Sequence, residues 1–477
     1  MNKTLVIGAG KACLLLLKSR TIAKQFDIVG MVDDKRSKNR VVTNKQYPIL
    51  GSLADIPSVI KKQRISTIII ALPSERGETI RNILLSLKRI STVVVYIIPR
   101  LPDVIIKNSI SLDEIKKIEP VDLIGGKISL QKQTEIMKNV HGKTILITGA
   151  GGFIGSELAR QIYLGSPKKI IVIDNTERNL FYLKYILSLI THSSPSTKIE
   201  YVLGTITNRY LMTRIFKMNE IHTVFHAAAY KHVPLLEDNI YEAVSNNISA
   251  TYTVARLAAL NSVKQFILIS TDKAVKPNCI MGMTKYIAEQ IMRYFDLTSK
   301  TQFSSVRFGN VFNSSGSVIE LFLKQIERDE ALTITDPQMR RYFMSVSEAV
   351  HLVLNAWVRA QKQTTYMFDM GTSVPILELA HCLLVMRNKS ETYPIKIIGN
   401  RKGEKIDELL WNPEKEIKTT NIYDGIFAIK QKESLKTNAV YSFLKQILKS
   451  LKKDYVQDHS RKGADELIVL MEKMLHV

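Results

Sequence analysis

A strand-like run, QFILIS, ends by delivering Ser270, Thr271, Asp272 and Lys273, and a helical stretch beginning near Met281 then presents Lys285. These residue types move protons. A carboxyl group can give or take one, a neutral amine can take one, and a hydroxyl can relay one. The i, i+4 spacing places Met281 and Lys285 on the same helix face. Met281 itself has no proton to give and negligible basicity. A plainer reading makes Asp272 and Lys273 a surface ion pair and Lys285 a solvated helix residue. The position at the carboxyl end of a strand favours chemistry, because open α/β sheets bind ligands there.

What must position these groups is written upstream, in GKTILITGAGGFIGSELARQI. A hydrophobic strand, 144–147, runs into Thr148, Gly149, Ala150, Gly151, Gly152, Phe153, Ile154 and Gly155, and then into a helix. Gly149, Gly152 and Gly155 fit a tight turn, close approach of a pyrophosphate to backbone N–H groups, and close helix–strand packing. The next strand, KKIIVID, ends in Asp174, placed to accept hydrogen bonds from an adenosine ribose. A carboxylate there repels a 2′-phosphate, so NAD is expected over NADP. EYVLGTITN and TVFHAAAYKH supply two more strands. Thr205 stands where many such proteins carry an adenine-binding Asp, and the small Ala227, Ala228 and Ala229 fit a cofactor lying against the chain. His226 and His232 read as structural residues.

The first hundred residues carry a second, weaker unit of this kind. TLVIGAG, DIVGMVDD and ISTIIIALP are buried-strand patterns with helical spacing between them. Gly8 and Gly10 are followed by Cys13 where a third glycine belongs, and Asp33 ends the second strand, so the dinucleotide fingerprint is partial. Either a nucleotide or nucleotide-sugar ligand, or a role in regulation or assembly, fits this unit.

Length and composition bound the rest. The chain has 477 residues, too many for one ordinary core. Its 3 cysteines, Cys13, Cys279 and Cys382, are far apart, which supports neither a disulfide framework nor a metal site and suits a reducing cytoplasm. No secretory signal and no membrane-spanning run is evident. The net charge of +23 comes from scattered lysines without interleaved aromatics, so nucleic acid is not an expected partner. LKQILKSLKKDY sets Leu444, Ile447 and Leu451 opposite lysines, the pattern of a packed surface helix or, alternatively, of a membrane-surface contact.

From about 142 to 410 the chain resembles the nucleotide-sugar 4,6-dehydratases among the extended short-chain dehydrogenase/reductases, in particular the large polysaccharide-biosynthesis branch acting on UDP-N-acetylglucosamine. The resemblance rests on HAAAYKHVPLLEDN, STDKAVKP, VRFGNVFNSSGSVI, RRYFMSVSEAV, FDMG and GNRKGEKIDELL. It implies an α/β fold of two Rossmann-like parallel-sheet units, the second with a smaller C-terminal substrate-binding part. The expected divisions are 1–114, a linker at 115–141, the catalytic domain at 142–412 and a basic helical extension at 413–477. Membrane helices often precede the first unit in relatives, and the sequence here opens directly on it.

The resemblance also implies roles. A tightly bound NAD would accept hydride from carbon 4 of the sugar and return it to carbon 6 after water is lost across carbons 5 and 6. Asp272 matches the acid at the 6-hydroxyl and Lys273 the base at carbon 5, which requires a lowered lysine pKa. The smaller, inverting members carry tyrosine where Met281 stands, and the large branch, which retains configuration at carbon 5, carries methionine. Thr271, or a water on it, would then relay the 4-hydroxyl proton, with Lys285 on the nicotinamide ribose. Arg341 and Arg401 match arginines near the diphosphate and Glu404 an acid near the uridine ribose; Asn310, after a strand, offers an amide to the diphosphate or sugar, and Lys231 is also expected at the substrate. Relatives form homo-oligomers. The rival readings are a 4-epimerase or reductase on the same scaffold, and a catalytically degenerate nucleotide-sugar-binding or assembly protein.

Overall fold

The computed structural model describes residues 2–34, 47–73, 77–90, 93–98, 110, 112–124, 133–190, 196–312, 314, 316–419, 425–457 and 461–476. The chain forms two compact units, neither contiguous in sequence: 1–127 with 316–340 and 374–399, and 128–315 with 341–373 and 400–477. Residues 413–477 are therefore part of the second unit, for a physical reason. They supply two strands of its sheet and helices whose apolar faces enter its core.

The first unit is built on β1 (Lys3–Ile7), β2 (Asp27–Val32), β3 (Ile49–Gly51), β4 (Thr67–Ile70), β5 (Val94–Ile97) and β6 (Lys116–Lys117). Their order is β3-β2-β1-β4-β5-β6, with only the β5–β6 pair antiparallel. Every residue of β4 is buried, as a sheet covered on both faces requires. Gly8 has φ +101°, and the Asp33 carboxylate accepts a 2.6 Å hydrogen bond from Ala9 N–H, so this partial glycine turn is tied to the end of β2. Asp33 stands directly after β2, at the strand end where the sequence places it.

The second unit carries β7 (Thr144–Thr148), β8 (Lys169–Asp174), β9 (Lys198–Leu203), β10 (Thr223–His226), β11 (Gln265–Thr271) and β12 (Gln302–Phe308). The sheet runs β9-β8-β7-β10-β11-β12 and continues through Thr364–Phe368 to Ile426–Gln431 and Glu416–Lys418. All pairs from β9 to Thr364–Phe368 are parallel, and the last two strands add antiparallel. Strand order reverses beside β7, which makes the carboxyl ends of β7 and β10 the switch point where such sheets bind ligands. The helix Ile280–Thr298 is buried along most of its length and packs under the helices Thr437–Gln457 and Arg461–Met474. Leu444, Ile447 and Leu451 lie in that core, so the apolar face of the lysine-rich helix is used in packing.

Among the described residues no helix is long and apolar enough to cross a membrane, and no group of His, Cys, Asp and Glu has the arrangement of a metal site.

Candidate active site

The glycine turn after β7 forms as its spacing requires. Gly149 has φ +66°, and a Cβ there would stand 2.6 Å from the Ala228 backbone, so β7 and β10 approach too closely for any larger residue. The helix Phe153–Leu164 starts at Gly152 with no side-chain cap, which leaves its first N–H groups facing the turn. Asp174 takes hydrogen bonds from Gly151 N–H (2.9 Å) and Thr176 N–H (2.9 Å). Its remaining lone pairs can still accept from a ribose. Thr205 bonds within its own turn, to the Thr207 hydroxyl and N–H. The residues fit a dinucleotide: an uncapped helix start, a side-chain-free approach and an acid at the end of the second strand.

His226 is a core residue. Its ring lies between the Thr148 (2.8 Å) and Thr251 (2.9 Å) hydroxyls, and burial pushes its pKa down to about 3. A permanently neutral imidazole of this kind orients hydroxyls. His232 and Lys231 are exposed in the turn before the helix Val233–Asp238.

At the end of β11 the predicted chemical groups converge. The Asp272 side chain is fully buried. The Thr271 hydroxyl donates to Asp272 Oδ1 at 2.8 Å, and the Lys273 ammonium donates to the same oxygen at 3.0 Å. Lys273 also donates to Asn310 Oδ1 at 3.2 Å. Asp272 Oδ2 is buried and has no hydrogen-bond partner within the protein, a costly state that a substrate hydroxyl would relieve. Arg341 is buried nearby and donates to the Ile406 carbonyl at 3.0 Å.

The helix carrying Met281 and Lys285 is pressed against this turn. A Cβ on Gly282 would stand 2.5 Å from the Lys273 carbonyl oxygen, so the helix start and the turn at the end of β11 share van der Waals contact. Met281 is buried in the hydrophobic core. Lys285 Nζ donates to the Ile269 carbonyl at 2.6 Å, and burial lowers its pKa to about 8.

Lys273 differs from the expectation. Burial alone would lower its pKa, but the Asp272 and Glu408 carboxylates outweigh burial and raise it. In this state the lysine is an ammonium ion. Glu408 was not visible as a site residue in the sequence; in KIDELL it reads as one more surface charge, whereas its side chain is only 3% exposed and lies 3.8 Å from Lys273 Nζ.

Behind the turn, Ser270 donates to Glu289 at 2.5 Å, Glu289 holds Arg307 through two hydrogen bonds of 2.8 and 2.6 Å, and Arg307 reaches Glu416 at 3.0 Å. This buried network fastens β11, β12 and the C-terminal strands together. Arg401 is exposed and Glu404 half-buried in the turn after Gly399, where the Arg401 N–H donates to Glu404.

Comparison with known proteins agrees with this architecture. Residues 145–431 match the family model described as polysaccharide biosynthesis protein, and residues 2–99 match a CoA-binding domain. The capsular polysaccharide biosynthesis protein CapD of Staphylococcus aureus is 39% identical over 443 residues, covering 91% of this chain and 72% of that protein. A UDP-glucose 4-epimerase of Rickettsia bellii is 33% identical, covering 59% of this chain and 81% of its own length. An inverting UDP-N-acetylglucosamine 4,6-dehydratase of Campylobacter jejuni is 32% identical, covering 57% and 78%. The X-ray structure of Pen from Bacillus thuringiensis superposes with a TM-score of 0.55 at 28% identity, covering 64% of this chain and 99% of that one.

Proposed function

On the premise that the chain belongs to the polysaccharide-biosynthesis family of extended short-chain dehydrogenase/reductases, we propose that it is a UDP-N-acetylglucosamine 4,6-dehydratase that retains configuration at carbon 5. The product is UDP-2-acetamido-2,6-dideoxy-α-D-xylo-hexos-4-ulose. The carrying observation is the single Asp272 oxygen that accepts from both Thr271 and Lys273, at 2.8 and 3.0 Å.

That arrangement supports a proton circuit without tyrosine. Thr271 takes the 4-hydroxyl proton and passes its own to Asp272. Asp272, now a carboxylic acid, protonates the departing 6-hydroxyl, so the proton leaves in the water. Lys273, once neutral, removes the carbon-5 proton and later returns it to the same face. Bound NAD would supply the hydride acceptor at carbon 4 and the hydride donor at carbon 6. We assign Gly149, Gly152, Phe153, Ile154, Gly155, Asp174, Ala227 and Ala228 to the cofactor, with Lys285 at its nicotinamide ribose. We assign Lys231, Asn310, Arg341, Arg401 and Glu404 to the UDP-sugar.

The test is incubation with UDP-N-acetylglucosamine in deuterated water, followed by mass and proton NMR. Expected is a 4-keto-6-deoxy product with deuterium at carbon 5 and retained configuration, and no product from Asp272→Asn or Lys273→Ala. The similarity to a 4-epimerase favours one alternative, which would give an epimerised sugar of unchanged mass. Intact substrate despite bound NAD and sugar would instead mark Met281 as a lost base.

A further inference from the structure

Glu408 lies far along the chain from the catalytic turn, yet its carboxylate is buried among the same groups. Its Oε1 is 3.8 Å from Lys273 Nζ and its Oε2 is 3.9 Å from Lys405 Nζ. Oε2 has no hydrogen-bond partner within the protein, although the side chain is only 3% exposed. A buried carboxylate oxygen without a hydrogen bond costs stability, so its position needs a reason. Its segment is pinned to the site by other means as well. Lys405 donates to the Val275 carbonyl at 2.8 Å, just past the catalytic turn, and Arg341 holds the Ile406 carbonyl at 3.0 Å.

We propose that Glu408 is the positioning residue that controls Lys273: its carboxylate holds the amine as an ammonium ion at rest and takes up the proton that Lys273 must shed to act on carbon 5. The charged and titratable groups around Lys273 are Asp272 and Glu408 on one side of the balance, and Arg341 and Lys405 on the other, with the Cys279 thiol close by. At rest the two carboxylates win. When Asp272 receives the 4-hydroxyl proton through Thr271, one of the two negative charges vanishes. Lys273 then holds its proton less tightly, and an N–H bond breaks as an O–H bond forms on Glu408. The neutral amine takes the carbon-5 proton and gives it back after hydride reaches carbon 6. Glu408 then returns its proton to Lys273, and the cycle closes with no proton gained or lost.

The inference rests on the dehydratase reading for its meaning, but its first test needs no turnover. Acetylation of Lys273 by acetic anhydride, followed by peptide mass spectrometry across pH, reports the neutral amine in the full chain. Removing one of two opposing charges within 4 Å should move the half-labelling pH of Glu408→Gln down by about one unit, equal to roughly tenfold more labelling at fixed pH below the midpoint. Glu408→Ala removes the same charge and serves if the Gln variant does not fold. Glu408→Asp should stay close to the parent. An unmoved midpoint in the Gln or Ala variant overturns the proposal.

In turnover, Glu408→Gln should lose at least about tenfold in kcat with little change in KM, and Glu408→Asp should recover part of it. Parent-level kcat in the Gln variant overturns the proton-accepting role. A parent protein that does not dehydrate UDP-N-acetylglucosamine overturns the dehydratase reading, and labelling then decides whether Glu408 controls the charge of Lys273.

Discussion

The Thr271 hydroxyl points its proton at Asp272 Oδ1 across 2.8 Å. Its oxygen also accepts from the Lys273 N–H at 3.4 Å and keeps a lone pair able to accept from a substrate hydroxyl, which would set the side chain between a proton source and a buried carboxylate. Removing the hydroxyl with Thr271→Val should cut kcat by about 10²-fold or more, in the range of a lost general acid–base step, and Thr271→Ser should restore most of it. Equal activity of the Val and Ser variants in steady-state assays would rule out the relay.

Lys285 gives a pH signature. Its folded-state pKa is lowered to about 8 from 10.5 by burial. Between those values the unfolded chain binds the proton and the folded protein does not, so this residue makes stability rise with pH from about 8 to 10.5. Below pH 8 the buried charge is a standing cost. Lys285→Met should therefore be stabilised relative to the parent at pH 7, and the difference should shrink as pH approaches 10. Urea midpoints measured for both proteins across this range check the sign. A difference independent of pH would contradict it.

Gly282 should tolerate no side chain. A Cβ would meet the Lys273 carbonyl oxygen at 2.5 Å, and both partners are backbone, so neither can rotate away. Gly282→Ala should lose about 1–3 kcal/mol of stability through overpacking and should also displace Lys273 from Asp272. Urea unfolding together with kcat reads both effects. Full activity in this variant would show that the helix and the turn are not coupled.

Arg307 should be among the costliest residues to change. Its guanidinium is 2% exposed and bonded to both Glu289 and Glu416. Arg307→Met leaves two buried carboxylates without the guanidinium that bonds both, a loss of about 3–5 kcal/mol. A triple variant that also replaces Glu289 and Glu416 with Gln should recover part of this, because it removes the unpaired charges. Thermal or urea unfolding of the two proteins distinguishes these outcomes.

What the sequence reveals follows from how local each arrangement is. The glycine turn and Asp174 are readable because backbone geometry dictates their residue types over a short stretch. Thr271, Asp272 and Lys273 are readable because they are consecutive at a strand end. Glu416 is not, since its bond to Arg307 spans 109 residues and no spacing rule announces it. Glu408 is hidden for the same reason. The charge state of Lys273 is not readable either: burial can be anticipated from a lysine at a strand end, but the second carboxylate that helps reverse its effect cannot. The fate of Leu444, Ile447 and Leu451 was legible, because an apolar stripe on a helix must find a cover.

The helix that bears Met281 and Lys285 is covered by helices formed from residues 437–474. During synthesis, the helix Ile280–Thr298 leaves the ribosome long before its cover does. Until the last segment emerges, the nascent chain has a complete glycine turn but an active-site helix with one greasy side bare. A chaperone that recognises exposed apolar helices would find its opportunity in that interval. Premature termination after residue 431 would then release a protein with every residue named here for cofactor and substrate, yet without Leu444, Ile447, Leu467 and Met471, which complete the core around that helix.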